Sequence, residues 1–350
     1  MLRVPGRERV SAYAVVVACC SVMLAGCGGP ASSSPGGGTV GSVYVVQSTG
    51  TGVSVPTSTS ILKFSGSSSG VVTPAATITS PAGIYFIDVG VDSSGNIYAT
   101  AASTSSTAAG EILVYAAGAS GAATPTRVLT GVATRLAYPL AITADATGQI
   151  YVADNMNGIL VFAAGANGNI APVRQINGSL VPIGTALGIA VDSSGTVYIA
   201  NDGVTPENIL EFSSAANGNV APTRTLAGAA TTLGGVLGLA IDSANNLYVG
   251  STGNGSATAG VAVFAQGANG NATPIRVIEG SNVGISNLDG MGMDAEGNIY
   301  VQDVANFGFA YLNSPSIKVY AAGATGNVAP TRTFSSAQWT GAGDDGMTAF

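Results

Sequence analysis

Seven aspartates carry most of what this chain could do chemically: Asp88, Asp154, Asp202, Asp289, Asp303, Asp344 and Asp345, with the only tryptophan, Trp339, close before the last two. Histidine is absent from all 350 residues, so imidazole bases and His-ligated zinc are excluded. Cys19, Cys20 and Cys27 are the only cysteines, which leaves no thiol nucleophile in the remainder of the chain. Carboxylate chemistry remains. Clustered aspartates can hold a divalent cation such as calcium through oxygen ligands, or keep a proton at a raised pKa. Asp289, Asp303 and Asp345 are the candidate metal set. The competing reading of all seven is a scatter of solvated loop acids.

The charge balance narrows the partners. The chain has 11 Lys and Arg against 18 Asp and Glu, a net charge of −7, which falls to −9 if Arg3, Arg7, Glu8 and Arg9 leave with residues 1–26. No cluster of cations follows the leader, so nucleic acid is not an expected partner. Only 8% of residues are charged while 46% are hydrophobic, and there are 50 glycines. Long solvated helices need charged faces; this composition fits strands and many turns.

The N-terminus reads as an address. A basic start, an apolar run from Val10 to Leu24 and small residues before Cys27 make a secretory signal peptide, with an apolar core too short for a comfortable membrane span. Leu24-Ala25-Gly26-Cys27 resembles the bacterial lipobox, which implies cleavage before Cys27 and a lipid on its thiol. The expected divisions are a lipoprotein signal peptide at 1–26, the lipidated Cys27 with a Gly/Ser/Pro-rich tether at 27–40, and one folded body at 41–350. Cys27 would then tie the protein to a membrane of the bacterial cell envelope, facing the periplasm or the surface. Disulfides are not expected to hold the body together.

What must position the aspartates is a repeat. Val91-Asp92-Ser93-Ser94-Gly95-Asn96-Ile97-Tyr98 has counterparts ending in Tyr151, Tyr198, Tyr248 and Tyr300, at intervals of 53, 47, 50 and 52 residues. Each is followed by an apolar run and a second turn, such as Ala166-Asn167-Gly168-Asn169. Short β-rich runs divided by Gly, Asn and Asp read as strands A to D of one antiparallel unit. That period with four strands is the signature of propeller blades. Ser42-Val43-Tyr44-Val45-Val46 reads as strand B of a further unit that lacks strand A, and Gly346-Met347-Thr348-Ala349-Phe350 as a strand A with nothing after it. The expected fold is all-β: a six-bladed β-propeller of four-stranded antiparallel blades, closed by pairing the C-terminal strand with the N-terminal strands, which removes exposed sheet edges.

The apolar run, Asp, two small residues, Gly and Ile-Tyr-Val resemble the NHL repeat of six-bladed propellers over nearly all of 41–350. The resemblance implies the fold. It leaves activity open, because relatives of this architecture include lactonases and lyases as well as protein-binding modules.

The repeated residues favour structure. Asp92, Asp145, Asp192, Asp242 and Asp294 suit the first position of a turn better than a calcium loop. Arg127, Arg174, Arg224, Arg276 and Arg332 are expected to reach a backbone carbonyl or repeated Asp, in their own blade or the next, rather than to form a basic ring for anions. The B–C and D–A loops vary, and variation on a rigid frame is where binding evolves. Candidates there are Tyr85, Asp88, Tyr138, Asp154, Asn155, Asp202, Glu207, Asp289, Asp303, Asn306, Phe307, Trp339, Asp344 and Asp345. The expected function is an envelope-anchored binding or scaffolding propeller with a protein or glycan ligand; the alternative is a calcium-assisted lactonase or sugar-acid hydrolase.

Overall fold

The computed structural model describes residues 41–49, 58–104, 110–253, 258–304 and 315–338. They form six antiparallel sheets around an axis, with two short 3-10 turns at Val132–Thr134 and Ala229–Thr231 as helical structure. Blade 3 is representative. Strand A is Pro139–Ala144, B is Ile150–Asp154, C is Gly158–Phe162 and D is Arg174–Ile176, hydrogen-bonded in the order A-B-C-D. Blades 2, 4, 5 and 6 repeat this over 84–129, 185–226, 236–278 and 288–335. Blade 1 has B, C and D at Ser42–Thr49, Ser58–Ser65 and Ala76–Thr79. The segment expected to supply its strand A, 346–350, lies outside the described residues.

The composition follows from the packing. Each blade is covered on both faces by its neighbours, so its strands read as nearly continuous apolar runs. An aromatic residue stands at the end of strand C in five blades (Tyr115, Phe162, Phe212, Phe264, Tyr320) and one before the end in blade 1 (Phe64), and none is more than 1% exposed. Burial of one such ring contributes about 3 kcal/mol before entropy is counted. The strands A (Ile84–Val91, Pro139–Ala144, Thr185–Val191, Val236–Ile241 and Leu288–Met293) pack successively against one another around the axis.

The seams between blades are built by one device used repeatedly. The glycine of each C–D turn makes a parallel bridge to strand D of the preceding blade: Ile78 with Gly121, Leu129 with Gly168, Ile176 with Gly218, Leu226 with Gly270 and Ile278 with Gly326. A left-handed backbone is needed at this glycine, as at Gly168 with φ 76°, where a side chain would be strained. The sixth seam closes the ring. Strand D of blade 6 pairs in parallel with Gly70–Val71 of blade 1, Phe334 opposite Gly70.

Asparagines reinforce the seams. Asn167, Asn217 and Asn269 each accept the backbone N–H of a strand D residue in the preceding blade, at 2.9, 3.0 and 3.1 Å. Asn169, Asn219, Asn271 and Asn327 do the same to Ala133, Leu180, Ala230 and Asn282 at the start of the following loop.

Candidate functional site

The two ends of the propeller differ. On the end formed by the A–B turns and C–D connections, the repeated polar residues bond one another and nearby backbone, with Arg332 Nε buried but unbonded. Asp92 Oδ1 accepts the N–H groups of Ser94 and Asn96, both at 2.9 Å. Its Oδ2 accepts the Tyr98 hydroxyl and the Asn96 side-chain amide, both at 2.8 Å. Burial alone would raise the Asp92 pKa, but these bonds outweigh it and hold the carboxyl below its ordinary value. The same Asp-to-Tyr bond recurs at Asp145, Asp192, Asp242 and Asp294.

The arginines cover this network. The guanidinium groups of Arg127, Arg174 and Arg276 lie 5.6, 5.7 and 5.5 Å from the ring centres of Tyr98, Tyr151 and Tyr248. Each donates to a carbonyl of the next blade, that of Ala166, Ala216 or Ala324. Arg332 donates to the Gly66 carbonyl at 2.6 Å across the closing seam. Arg224 departs from the pattern and pairs with Glu211 of its own blade. The turn end therefore offers five fitted Tyr-Asp units and little for a ligand to bind.

On the opposite end, the residue three after the repeated Tyr pins the incoming D–A loop. Asp154, 1% exposed, accepts N–H bonds from Ala137 and Tyr138 at 2.8 Å, and from Met156 and Asn157 at 3.0 and 2.9 Å. Asn201 accepts from Gly184 and donates to the Pro182 carbonyl. Ser251 bonds both N–H and carbonyl of Gly234. Asp303 accepts from Ser286 and Asn287 at 2.7 and 2.9 Å and from Lys318 at 3.0 Å. Gln47 holds the Gln338 carbonyl in the same way. Only blade 2 lacks a pin, having Ala101 there.

These pins decide what two of the candidate aspartates do. Asp154 and Asp303 hold loops in place, and their carboxylates are not turned out to an open face. Asp88, fully buried, joins two blades: Oδ2 accepts the N–H of Ile142 in the neighbouring strand A at 2.9 Å, and Oδ1 that of Val89 at 2.8 Å. Asp202 is half-buried beside Glu207, and burial first, with the Glu207 charge second, pushes its pKa up to about 6. Cys27, Asn306, Phe307, Trp339, Asp344 and Asp345 lie outside the described residues. The proposed trio of Asp289, Asp303 and Asp345 is therefore represented by two members. Among the described residues no three acidic, Cys or His side chains come together as a metal site.

Asp289 occupies a distinctive place. Each described strand A has an irregularity at the same position, where Ile87, Leu140, Leu187, Leu237 or Asp289 falls out of register with strand B. Such bulges re-aim side chains. The four apolar members belong to one central cluster and are at most 8% exposed, so they form a floor across the axis. Asp289, 3% exposed, places a carboxylate in that otherwise apolar ring. On strand B, opposite the next residue Gly290, Gln302 is fully buried, and neither side-chain amide atom has a hydrogen-bond partner.

Two residues earlier in the chain, at or just before the start of each strand A, lies the rim: Tyr85, Tyr138, Thr185, Gly235 and Asn287, all half-buried. Tyr85 and Tyr138 take the same position in adjacent blades and pack against the central cluster. The Asn287 side-chain Nδ2 is buried without a hydrogen-bond partner. Among the described residues, this mouth has tyrosines on two adjacent blades, hydroxyl and amide groups on others, and a floor that is apolar except for Asp289. Thr185 and the floor residues were not among the candidates; counting back seven and five positions from each repeated Asp would have found them. Such a mouth can pack an apolar or sugar face on tyrosine while its polar groups bond hydroxyls or backbone amides.

No protein-family model matches the chain, and no curated protein is significantly similar to it. Among solved structures it is similar to a protein of unknown function from Bacteroides caccae, 9% identical, with a TM-score of 0.54 over 87% of this chain and 98% of that one. That likeness extends to the fold alone, and the chain is a six-bladed β-propeller.

Proposed function

We propose that this protein is a lipid-anchored binding or scaffolding propeller of the bacterial cell envelope, of the NHL-repeat type, holding a protein or glycan ligand at the mouth on its B–C and D–A loop end. One observation carries the reading: the polar repeats of the turn end bond one another, while Tyr85 and Tyr138 take equivalent half-exposed positions in adjacent blades and pack against the central cluster. The lipobox-like residues before Cys27 and the Gly/Ser/Pro-rich stretch after it support an anchored display. A calcium-assisted hydrolase would need Asp303 as a free ligand; its carboxylate already holds two backbone amides and Lys318, so binding is the preferred reading.

The test is a glycan array and an envelope-extract pull-down with the intact chain and with the Tyr85→Ala/Tyr138→Ala double variant. The reading expects capture by the former and loss in the latter. Capture unaffected by the double variant would overturn the placement at the mouth. Labelling with radioactive palmitate, compared with Cys27→Ser, tests the anchor.

A further inference from the structure

Asn157, Asn167, Asn177, Asn217, Asn254 and Asn269 are each followed by glycine. In such a pair the glycine nitrogen, with no Cβ beside it, can attack the side-chain amide before it. Three of the pairs sit in C–D turns, where one residue of the preceding blade ties down both reacting groups. Asn167 Oδ1 accepts the Val128 N–H at 2.9 Å, while the Gly168 N–H donates to the Val128 carbonyl at 2.7 Å. Gln175 holds Asn217 and Gly218 in the same way at 3.0 and 2.6 Å, and Thr225 holds Asn269 and Gly270 at 3.1 and 2.8 Å. Joining the two groups of any seam pair would break both bonds. Asn157 is held by its side-chain amide, which donates to the Arg135 carbonyl at 2.8 Å. Asn254-Gly255 lies outside the described residues.

Asn177-Gly178 is placed differently. It opens the loop that enters blade 4, and both residues are exposed. The Asn177 N–H donates to the Gly218 carbonyl at 3.2 Å, but among the described residues no hydrogen bond holds the Asn177 side chain or the Gly178 N–H. The loop 177–184 contains no ionisable side chain. It is fastened further on, where the Leu180 N–H donates to Asn219 and the Gly184 N–H to Asn201, both at 2.7 Å. The rim residue Thr185 follows directly.

We propose that Asn177 is a self-modifying site at the entrance to the mouth. The Gly178 nitrogen attacks the side-chain carbonyl carbon of Asn177 and forms a C–N bond; the side-chain nitrogen leaves as ammonia, taking the proton that Gly178 gives up. Water then opens the resulting succinimide to aspartate or isoaspartate. Either product puts a carboxylate into an uncharged loop. Isoaspartate also adds a methylene to the main chain ahead of Leu180, which draws that residue off Asn219.

The test is incubation of the full chain in detergent at mildly alkaline pH, with the deamidated fraction at each Asn-Gly pair read by mass spectrometry. Conversion at Asn177 is expected to be at least about tenfold faster than at Asn167, Asn217 and Asn269, the weight of the two hydrogen bonds that each seam pair must first break. In urea, with the seams open, the four rates should converge. Equal rates in the folded chain, or a preference for Asn177 that survives in urea, would overturn the assignment. Hydrogen exchange at Leu180 should speed up in the aged chain and stay constant in Asn177→Gln; unchanged exchange after conversion would overturn the effect on the loop.

Discussion

Gln47 donates its side-chain amide to the backbone carbonyl of Gln338, 291 residues further along the chain. Gln47 occupies the position from which Asp154, Asn201, Ser251 and Asp303 pin the loop entering strand A of their own blades. The chain leaving blade 6 is thus delivered to blade 1, which shows strands B, C and D among the described residues. Deleting residues 346–350, which the sequence reads as strand A of the closing blade, is expected to lower stability by several kcal/mol. Thermal unfolding checks this, and an unchanged melting temperature would contradict the clasp.

Asp154 gathers four backbone amides at one carboxylate. Replacing it by Ala orphans them and is expected to cost about 3 kcal/mol. Asp154→Asn retains one acceptor oxygen and should cost about half as much. Urea unfolding of the two variants measures the difference; a null effect of Asp154→Ala would return this residue to the list of ligand-binding groups.

Asp92 and Asp202 respond to pH in opposite senses. The folded-state pKa of Asp92 is lowered, so its contribution is present above the ordinary carboxylate value and is lost as pH falls through the folded value. Asp202 is raised from 3.8 to about 6. Folding then binds a proton, and stability falls as pH rises from 3.8 to 6. Asp202→Asn should therefore raise the melting temperature at pH 7.5 and leave it unchanged below 3.8, whereas Asp92→Asn should lower it at pH 7.5. Paired melts at the two pH values discriminate.

The asparagines of the C–D turns should act additively. Asn169→Ala and Asn271→Ala each remove one seam bond and are expected to cost about 1 kcal/mol. They sit in different blades and share no partner, so the double variant should cost about the sum. Marked non-additivity in denaturant unfolding would show that the seams communicate.

The number of blades was readable because its markers are chemically fixed. Each repeated Tyr is bonded to the Asp before its own turn, and three carry an Arg over the ring, so none drifts in identity. The expectation that the arginines reach a backbone carbonyl or a repeated Asp, in their own blade or the next, is met by Arg127, Arg174, Arg276 and Arg332 through carbonyls of the next blade. Arg224 is diverted by Glu211, which stands opposite it on strand C.

The loop pins were not readable for the reverse reason. Their position is filled by Gln, Ala, Asp, Asn, Ser and Asp in turn: outside blade 2, different polar side chains can each bond the loop backbone, so the contact is kept while identity is not. Asp154 and Asp303 consequently resembled free acids. Asp88 misled similarly, since a carboxylate on an inner strand can bond the neighbouring blade where other units place Gly or Ala.

The equivalent seams have a consequence for how the molecule could be rewired. A circle whose every joint is the same grip of turn on strand gives no blade a special rank. The covalent order of the blades is then a matter of where the gene begins. A circular permutant with its old termini fused and new ones opened in the loop 227–235 should assemble the same wheel, with the task of closure passed from blade 1 to blade 5.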